Sequence, residues 1–403
     1  MAKITHKSLN ETIDIDRVIG RYTQDKPGPT VIFLCGTHGN ETSSIFAIKK
    51  VFEELDELQP PINGVLIAAY AGNLEALKQD KRYIDMDLNR MWVPERLKRL
   101  GFFDNMDEPS GHEKKEKEEL LGLLRENFEK VKGELFVFDL HTTSSVSPPI
   151  TAISDSIKNR ELALQYPLPC VVGFDEQTEG TFMNFINELG ITGVAFEGGE
   201  HYSLSAIENN ISFIWYTLGL IKSISIADIP DYGKHYSVLS KENIGNHKIF
   251  DLVYHHKIRK EDQFKMKPNF STFDKIKLGQ PIAEDKNGTI HAQESGRIFM
   301  PLYQEQGDDG YFIVQEKSNA WLKLSKNLRK VRAERLLLAL PGVKRHPDDK
   351  YTLVIKKDIF PTLQKQLRLL GYRRKLVKDD VVITTRRLYE FSSPSIYNLH
   401  GTT

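Results

Sequence analysis

Between about residue 30 and residue 225 the chain alternates short, unbroken apolar runs with amphipathic stretches. This rhythm constrains the fold more than any other feature. The runs are Val31–Gly36, Val65–Tyr70, Leu135–Leu140, Pro149–Ser154, Pro169–Gly173 and Gly193–Glu197. Helical spacing appears over Thr42–Leu55, Glu113–Val131, Ser156–Tyr166, Thr181–Leu189 and Leu204–Ile221. A strand with one wet face alternates polar and apolar residues, whereas VIFLC and LFVFDL are apolar almost throughout. Such strands need cover on both faces, and strands separated by helices pair in parallel. The expected fold is therefore α/β: a mainly parallel, mixed sheet covered by helices on both faces.

At 403 residues the chain exceeds what one core usually fills. After Ile226 the helical spacing fades, and Gly, Asp and Asn turns separate β-prone runs at His247–Tyr254, Pro281–Ala283 and Ile298–Tyr303. Beyond Pro341-Gly342 come a strand (Tyr351–Ile355), a helix (Ile359–Leu370) and a hairpin around Lys378-Asp379-Asp380. The reading is an α/β domain over 1–225, a smaller β-rich domain over 226–335 and a basic α+β C-terminal extension over 336–403.

Apolar residues at 40% and charged ones at 27% exclude a largely disordered chain. No run approaches the roughly 18 apolar residues of a membrane span. The opening MAKITHKSLNETIDID has no apolar block after its lysines, so no secretory signal is expected. Two cysteines, Cys35 and Cys170, suit a reducing compartment, and the expected address is the cytoplasm. The zero net charge is uneven. Trp321–Thr403 carries 19 Lys and Arg against 7 Asp and Glu. Such a tail reads either as a basic unit docked on an acidic body or as a nucleic-acid contact.

In open parallel sheets, ligands gather at the carboxyl ends of strands. Val31–Gly36 runs into Thr37-His38-Gly39-Asn40-Glu41, Leu135–Leu140 into His141, and Gly193–Phe196 into Glu197. The link after Val65–Tyr70 carries Arg82 through Arg90. His38 and Glu41, three apart at a strand-to-helix transition, can aim at one point. With His141 they make a two-histidine, one-glutamate set that leaves a zinc ion one open position, as catalytic sites do. Gly36 and Gly39 allow a tight bend beside it, and Asp139 is placed to orient His141 from behind. Taken singly, each has a plainer reading. H-x-x-E is usually a solvated helix face, D-L-H a core histidine, Glu197 a helix cap or ion-pair partner, and Arg82 and Arg90 surface charge.

The segments Gly36-Thr37-His38-Gly39-Asn40-Glu41, Arg82-Tyr83-Ile84-Asp85-Met86-Asp87-Leu88-Asn89-Arg90, Phe138-Asp139-Leu140-His141 and Glu197-Gly198 occur in this order. In this the chain resembles the succinylglutamate desuccinylase/aspartoacylase family, zinc amidohydrolases related in fold to the zinc carboxypeptidases. The resemblance covers 25–225 well and 226–335 loosely. It implies one zinc per chain on His38, Glu41 and His141, and Glu197 as general base and acid. It also implies that Arg82 polarises the scissile carbonyl while Asn89 and Arg90 bind a substrate carboxylate. A lid tyrosine in such enzymes finds its nearest match in Tyr311.

The residue types suit amide hydrolysis on their own terms. Zinc activates water and polarises a carbonyl, a glutamate shuttles the proton, and an arginine meets the developing oxyanion. A second arginine can fork onto a carboxylate. The expected activity is deacylation of a small anionic N-acyl amino acid, with no membrane or nucleic-acid partner and homo-oligomers left open. The competing readings are a zinc carboxypeptidase acting on short peptides and an anion- or nucleic-acid-binding protein using the basic tail. The stretch Thr178–Phe196 holds no Lys or Arg, although some acyl-aspartate-specific members of the family carry an arginine there. A neutral amino-acid moiety is therefore as compatible as an acidic one.

Overall fold

A computed structural model describes the chain apart from residues 25, 105, 107–109, 242–247, 396 and 398–403. The first residue of the expected His247–Tyr254 run lies outside the described residues; the strand itself spans Ile249–Lys257.

Among the described residues the main sheet has eleven strands. In spatial order they are Lys275–Ile276, Gly296–Phe299, Asp309–Lys317, Ile249–Lys257, Cys170–Val172, Ile150–Ile153, Thr192–Glu200, Leu135–Thr143, Thr30–Cys35, Leu66–Ala71 and Val18–Thr23. Leu66–Ala71, Thr30–Cys35, Leu135–Thr143 and Thr192–Glu200 pair in parallel. Ile150–Ile153 joins Thr192–Glu200 antiparallel and Cys170–Val172 parallel. Ile249–Lys257 then adds in parallel to Cys170–Val172, so the sheet runs on into the β-rich region without a break.

Both faces are covered, as the apolar strands require. Val31, Phe33 and Cys35 point to one face, where they meet the helices Thr42–Leu58 and Leu204–Leu220. There Phe196 stacks on Phe213 with ring centroids 4.0 Å apart. Ile32 and Leu34 point to the other face, against Leu120, Leu124 and Phe128 of the helix Gly111–Phe128 and Phe182, Met183 and Ile186 of the helix Phe182–Glu188.

The region after residue 226 is less uniformly β than its sequence suggests. It holds the helices Tyr232–Ser240 and Asn319–Lys330. The first packs Leu239 against the main core through a single turn-spaced apolar stripe, too short for its period to stand out. The extension forms a separate antiparallel sheet in the order Val343–Arg345, Thr352–Lys356, Val381–Thr385 and Arg374–Lys378, with the helix Phe360–Leu369. Its hairpin turns at Asp379, whose φ of 50° is left-handed. Leu353, Ile355, Leu367 and Tyr372 form its own small core. Among the described residues no helix is long and apolar enough to cross a membrane.

Candidate active site

The chain leaves the strand Thr30–Cys35 at its carboxyl end and turns through Gly36, whose φ is +64°. Gly39 lies so close to the next element that a Cβ there would meet the Ala76 backbone carbon at 2.1 Å. Helix Thr42–Leu58 then begins, with Glu41 at its cap position. A capping residue normally turns its side chain onto the helix's free N–H groups. Glu41 makes no such bond and reaches away, toward two imidazoles.

His38 Nδ1 lies 2.6 Å from one Glu41 carboxylate oxygen and His141 Nδ1 3.0 Å from the other. Ligand atoms from all three residues lie within 4.8 Å of one another, and all three residues are buried. The Thr142 backbone N–H also donates to Glu41, at 3.1 Å. Each imidazole has a carboxylate behind it. His38 Nε2 lies 3.2 Å from Asp87 Oδ1, and His141 Nε2 lies 2.9 Å from Asp139 Oδ2. Thr37 donates its hydroxyl to the other oxygen of Asp139 at 3.3 Å. Imidazoles backed by carboxylates have their ring orientation fixed and their basicity raised, as in metal sites.

The electrostatics point the same way. Burial alone would raise the Glu41 carboxyl, yet His38 and His141 hold it well below its ordinary value. Burial would lower His141, but Asp139 and Glu41 pull it well above. Asp87, which burial would raise, is held well below its usual value by Arg82 and His38. Glu197 sits directly beside His141 in the parallel register. Burial pushes its carboxyl up to about 8, although His141 and Arg82 oppose the shift, and its Oε2 is buried without a hydrogen-bond partner. The buried carboxylates of Glu41, Asp87 and Asp139, with Glu197 beside them and the Arg82 guanidinium close by, form an electron-rich donor set that a divalent cation would neutralise. These residues could hold a metal ion.

Arg82 donates from Nε and Nη2 to Asp87 Oδ2 at 3.1 and 2.9 Å, and its Nη1 lies 3.9 Å from Glu41. Arg90 donates to the Asn89 carbonyl at 2.8 Å and is ion-paired with Asp309. Asp309 is also 2.6 Å from His255 Nε2. Asn89 faces the cleft, but its side-chain oxygen accepts the Phe182 backbone N–H at 2.8 Å.

His38, Glu41, Arg82, Asn89, Arg90, Asp139, His141 and Glu197 thus all line one cleft. Tyr311 does not, and here the sequence expectation is corrected. Along the strand Asp309–Lys317 successive side chains take opposite faces. Phe312 takes the cleft side, while Tyr311 is buried behind it and stacks on His256 at 4.9 Å. The segment from Met300 to Asp309 roofs the cleft instead. Gln304 accepts from Asn40 at 2.8 Å, and Gln306 accepts the Arg82 N–H at 3.1 Å.

Residues 27–213 match the family model described as the succinylglutamate desuccinylase/aspartoacylase catalytic domain. That segment is a catalytic domain of this family. A probable aspartoacylase of Trichodesmium erythraeum is 26% identical over 298 residues, covering 67% of this chain and 89% of that protein. An N-acyl-aromatic-L-amino acid amidohydrolase (carboxylate-forming) of Rattus norvegicus is 31% identical over 185 residues, 43% of this chain and 54% of its own length. In fold the chain is similar to a crystal structure of succinylglutamatedesuccinylase/aspartoacylase from Rhodobacter sphaeroides. The TM-score is 0.53 at 16% identity, over 78% of this chain and 94% of that one.

Several cleft residues, in this desuccinylase/aspartoacylase-type segment and beyond it, escaped the sequence reading. Asp87 lies inside a quoted motif, two residues before Asn89, and its pairing with both His38 and Arg82 has no local signature. Thr181 begins an expected helix inside the stretch that lacks basic residues and Asp175 lies just before that stretch, and neither was read as a site residue. Asp309 reaches Arg90 across 219 positions of sequence, a distance no spacing rule spans.

Proposed function

We propose that the protein is a zinc-dependent deacylase that hydrolyses the amide bond of a small N-acyl amino acid. The convergence of His38, Glu41 and His141 beside an unpartnered Glu197 carries this reading. Zinc held by these three residues would supply Lewis-acid polarisation and lower the pKa of water at the site. Glu197, beside His141 and with Oε2 free of any hydrogen-bond partner, accepts the proton of the attacking water and returns it to the leaving amine nitrogen. Arg82, fixed by Asp87, presents cationic N–H groups to the oxyanion that develops on the carbonyl. Asp87 and Asp139 hold the two imidazoles in orientation. Asn89 and Arg90 stand at the substrate's carboxylate end, with Arg90 exchanging Asp309 for the substrate as it binds.

The roof from Met300 to Asp309 favours small substrates over long peptides. Arg329, Arg373, Arg374, Arg386 and Arg387 are buried against the body of the protein, which supports the reading of the tail as a docked basic unit.

Metal analysis of the purified protein is expected to give one zinc per chain, lost in His38→Ala and His141→Ala. Glu197→Gln is expected to keep the metal and lose at least about 100-fold in kcat, the scale of general acid–base catalysis. Full metal occupancy in both histidine variants would refute the ligand assignment, and an active Glu197→Gln would refute the general base.

A further inference from the structure

The stretch before Glu197 brings no basic residue of its own, but arginines from the C-terminal extension reach it from behind. Arg374 Nη2 donates to the Asp175 carbonyl at 2.9 Å and to Asn184 Oδ1 at 3.0 Å. Arg387 donates to Glu176 at 3.1 Å, to Asn184 Oδ1 at 3.0 Å and to Glu188 at 2.9 Å. Its remaining nitrogen donates to Ser154 Oγ at 2.8 Å, and Ser154 in turn donates to Asp175 Oδ2 at 2.5 Å. Both arginines are buried. The segment they grip, 174–188, supplies Phe174, Asp175, Thr181 and Met183 to the wall of the catalytic cleft.

Asp175 is the charged residue of that wall. Its Oδ2 receives Ser154 and its Oδ1 receives Thr181, the latter at 3.1 Å. Hydroxyls therefore fix both oxygens from inside. A carboxylate oxygen keeps a further lone pair, so Asp175 remains an acceptor toward the cleft. An acceptor there welcomes an N–H, O–H or ammonium group and repels a second carboxylate.

We propose that the extension completes the substrate pocket. Arg374 and Arg387 are positioning residues that set the 174–188 wall and, through Ser154, hold Asp175 as a specificity determinant for N-acyl amino acids with neutral or cationic side chains. This substrate class rests on the deacylase reading above, whereas the positioning of the wall does not.

The test measures kcat and KM separately, with metal content and melting temperature alongside. The substrates are the N-acetyl derivatives of glutamine, lysine and aspartate. The proteins are wild type, Ser154→Ala, Arg374→Met, Asp175→Asn and the control Lys326→Ala, which removes an exposed ion pair with Glu161. Wild type is expected to favour glutamine or lysine over aspartate by about 10-fold in kcat/KM, and Asp175→Asn to abolish that preference. Ser154→Ala and Arg374→Met are expected to raise KM for the favoured substrate about 5- to 10-fold with kcat within about 2-fold. Unchanged KM with a lowered melting temperature would overturn the positioning role, and a wild-type preference for aspartate would overturn the specificity. Should Arg374→Met fail to fold, Ser154→Ala decides alone. If wild type hydrolyses none of the three, the deacylase reading fails. The positioning claim is then read from amide hydrogen exchange over 174–188, faster in Ser154→Ala than in Lys326→Ala if correct and equal if wrong.

Discussion

At the scale of single residues, Asp87 joins two functions. One oxygen backs His38 and the other carries Arg82. Asp87→Asn preserves volume and removes the charge that both partners face. The expected outcome is a 10- to 100-fold loss of metal affinity, the usual cost of disturbing a ligand's outer partner, measured by chelator competition. A fall in kcat should accompany it as Arg82 loosens. The metal-ligating candidates were legible because each follows an apolar strand at its carboxyl end. Asp87 was not, because its partners sit 49 and 5 residues away on different turns and only the fold brings them to one carboxylate.

At the scale of elements, the central strands and the helices between them were readable because burial on both faces leaves an unbroken apolar signature. The edges were less so. The strand Val18–Thr23 carries a mixed sequence, and its partner Leu66–Ala71 is distant in the chain. Tyr311 shows how finely the reading must resolve: a single step along one strand separates the cleft face from the rear face. The helix Leu204–Leu220 matters beyond its length, since Phe213 lies against Phe138, Tyr166 and Phe196 beneath the strands that bear His141 and Glu197. Phe213→Ala is expected to cost about 3–5 kcal/mol, read from denaturant unfolding, because such a cavity collapses only partly.

At the scale of the whole molecule, the basic stretch from Trp321 onward, which includes the extension, is matched to an acidic interior seam. Arg329 donates to Asp155 at 2.7 Å and to Glu390 at 3.1 Å, Arg160 joins Asp155 at 2.6 Å, and Arg373 pairs with Asp155 and Asp251. Burial would raise Asp155, but Arg160, Arg329 and Arg373 hold it well below its ordinary value. Its folded pKa therefore lies under the unfolded one of about 3.9. The stabilisation is complete above about pH 4 and drains away as pH falls further toward the folded value. Acid titration should release the extension first, reported by the emission of Trp321, over which the Arg160 guanidinium sits at 5.3 Å. Asp155→Asn leaves three buried guanidinium groups short of charge. It is expected to cost about 3–5 kcal/mol and to blunt the acid transition.

The pairing of Arg90 with Asp309 has a consequence for biosynthesis. The chain emerges from the ribosome amino end first, so His38, Glu41, His141 and Glu197 are all made before the aspartate that covers Arg90. The cluster of buried imidazoles and carboxylates is thus synthesised early and the partner of Arg90 late. A half-made chain already carries His38, Glu41, His141 and Glu197 but leaves the Arg90 guanidinium without the Asp309 counter-charge it meets in the finished fold.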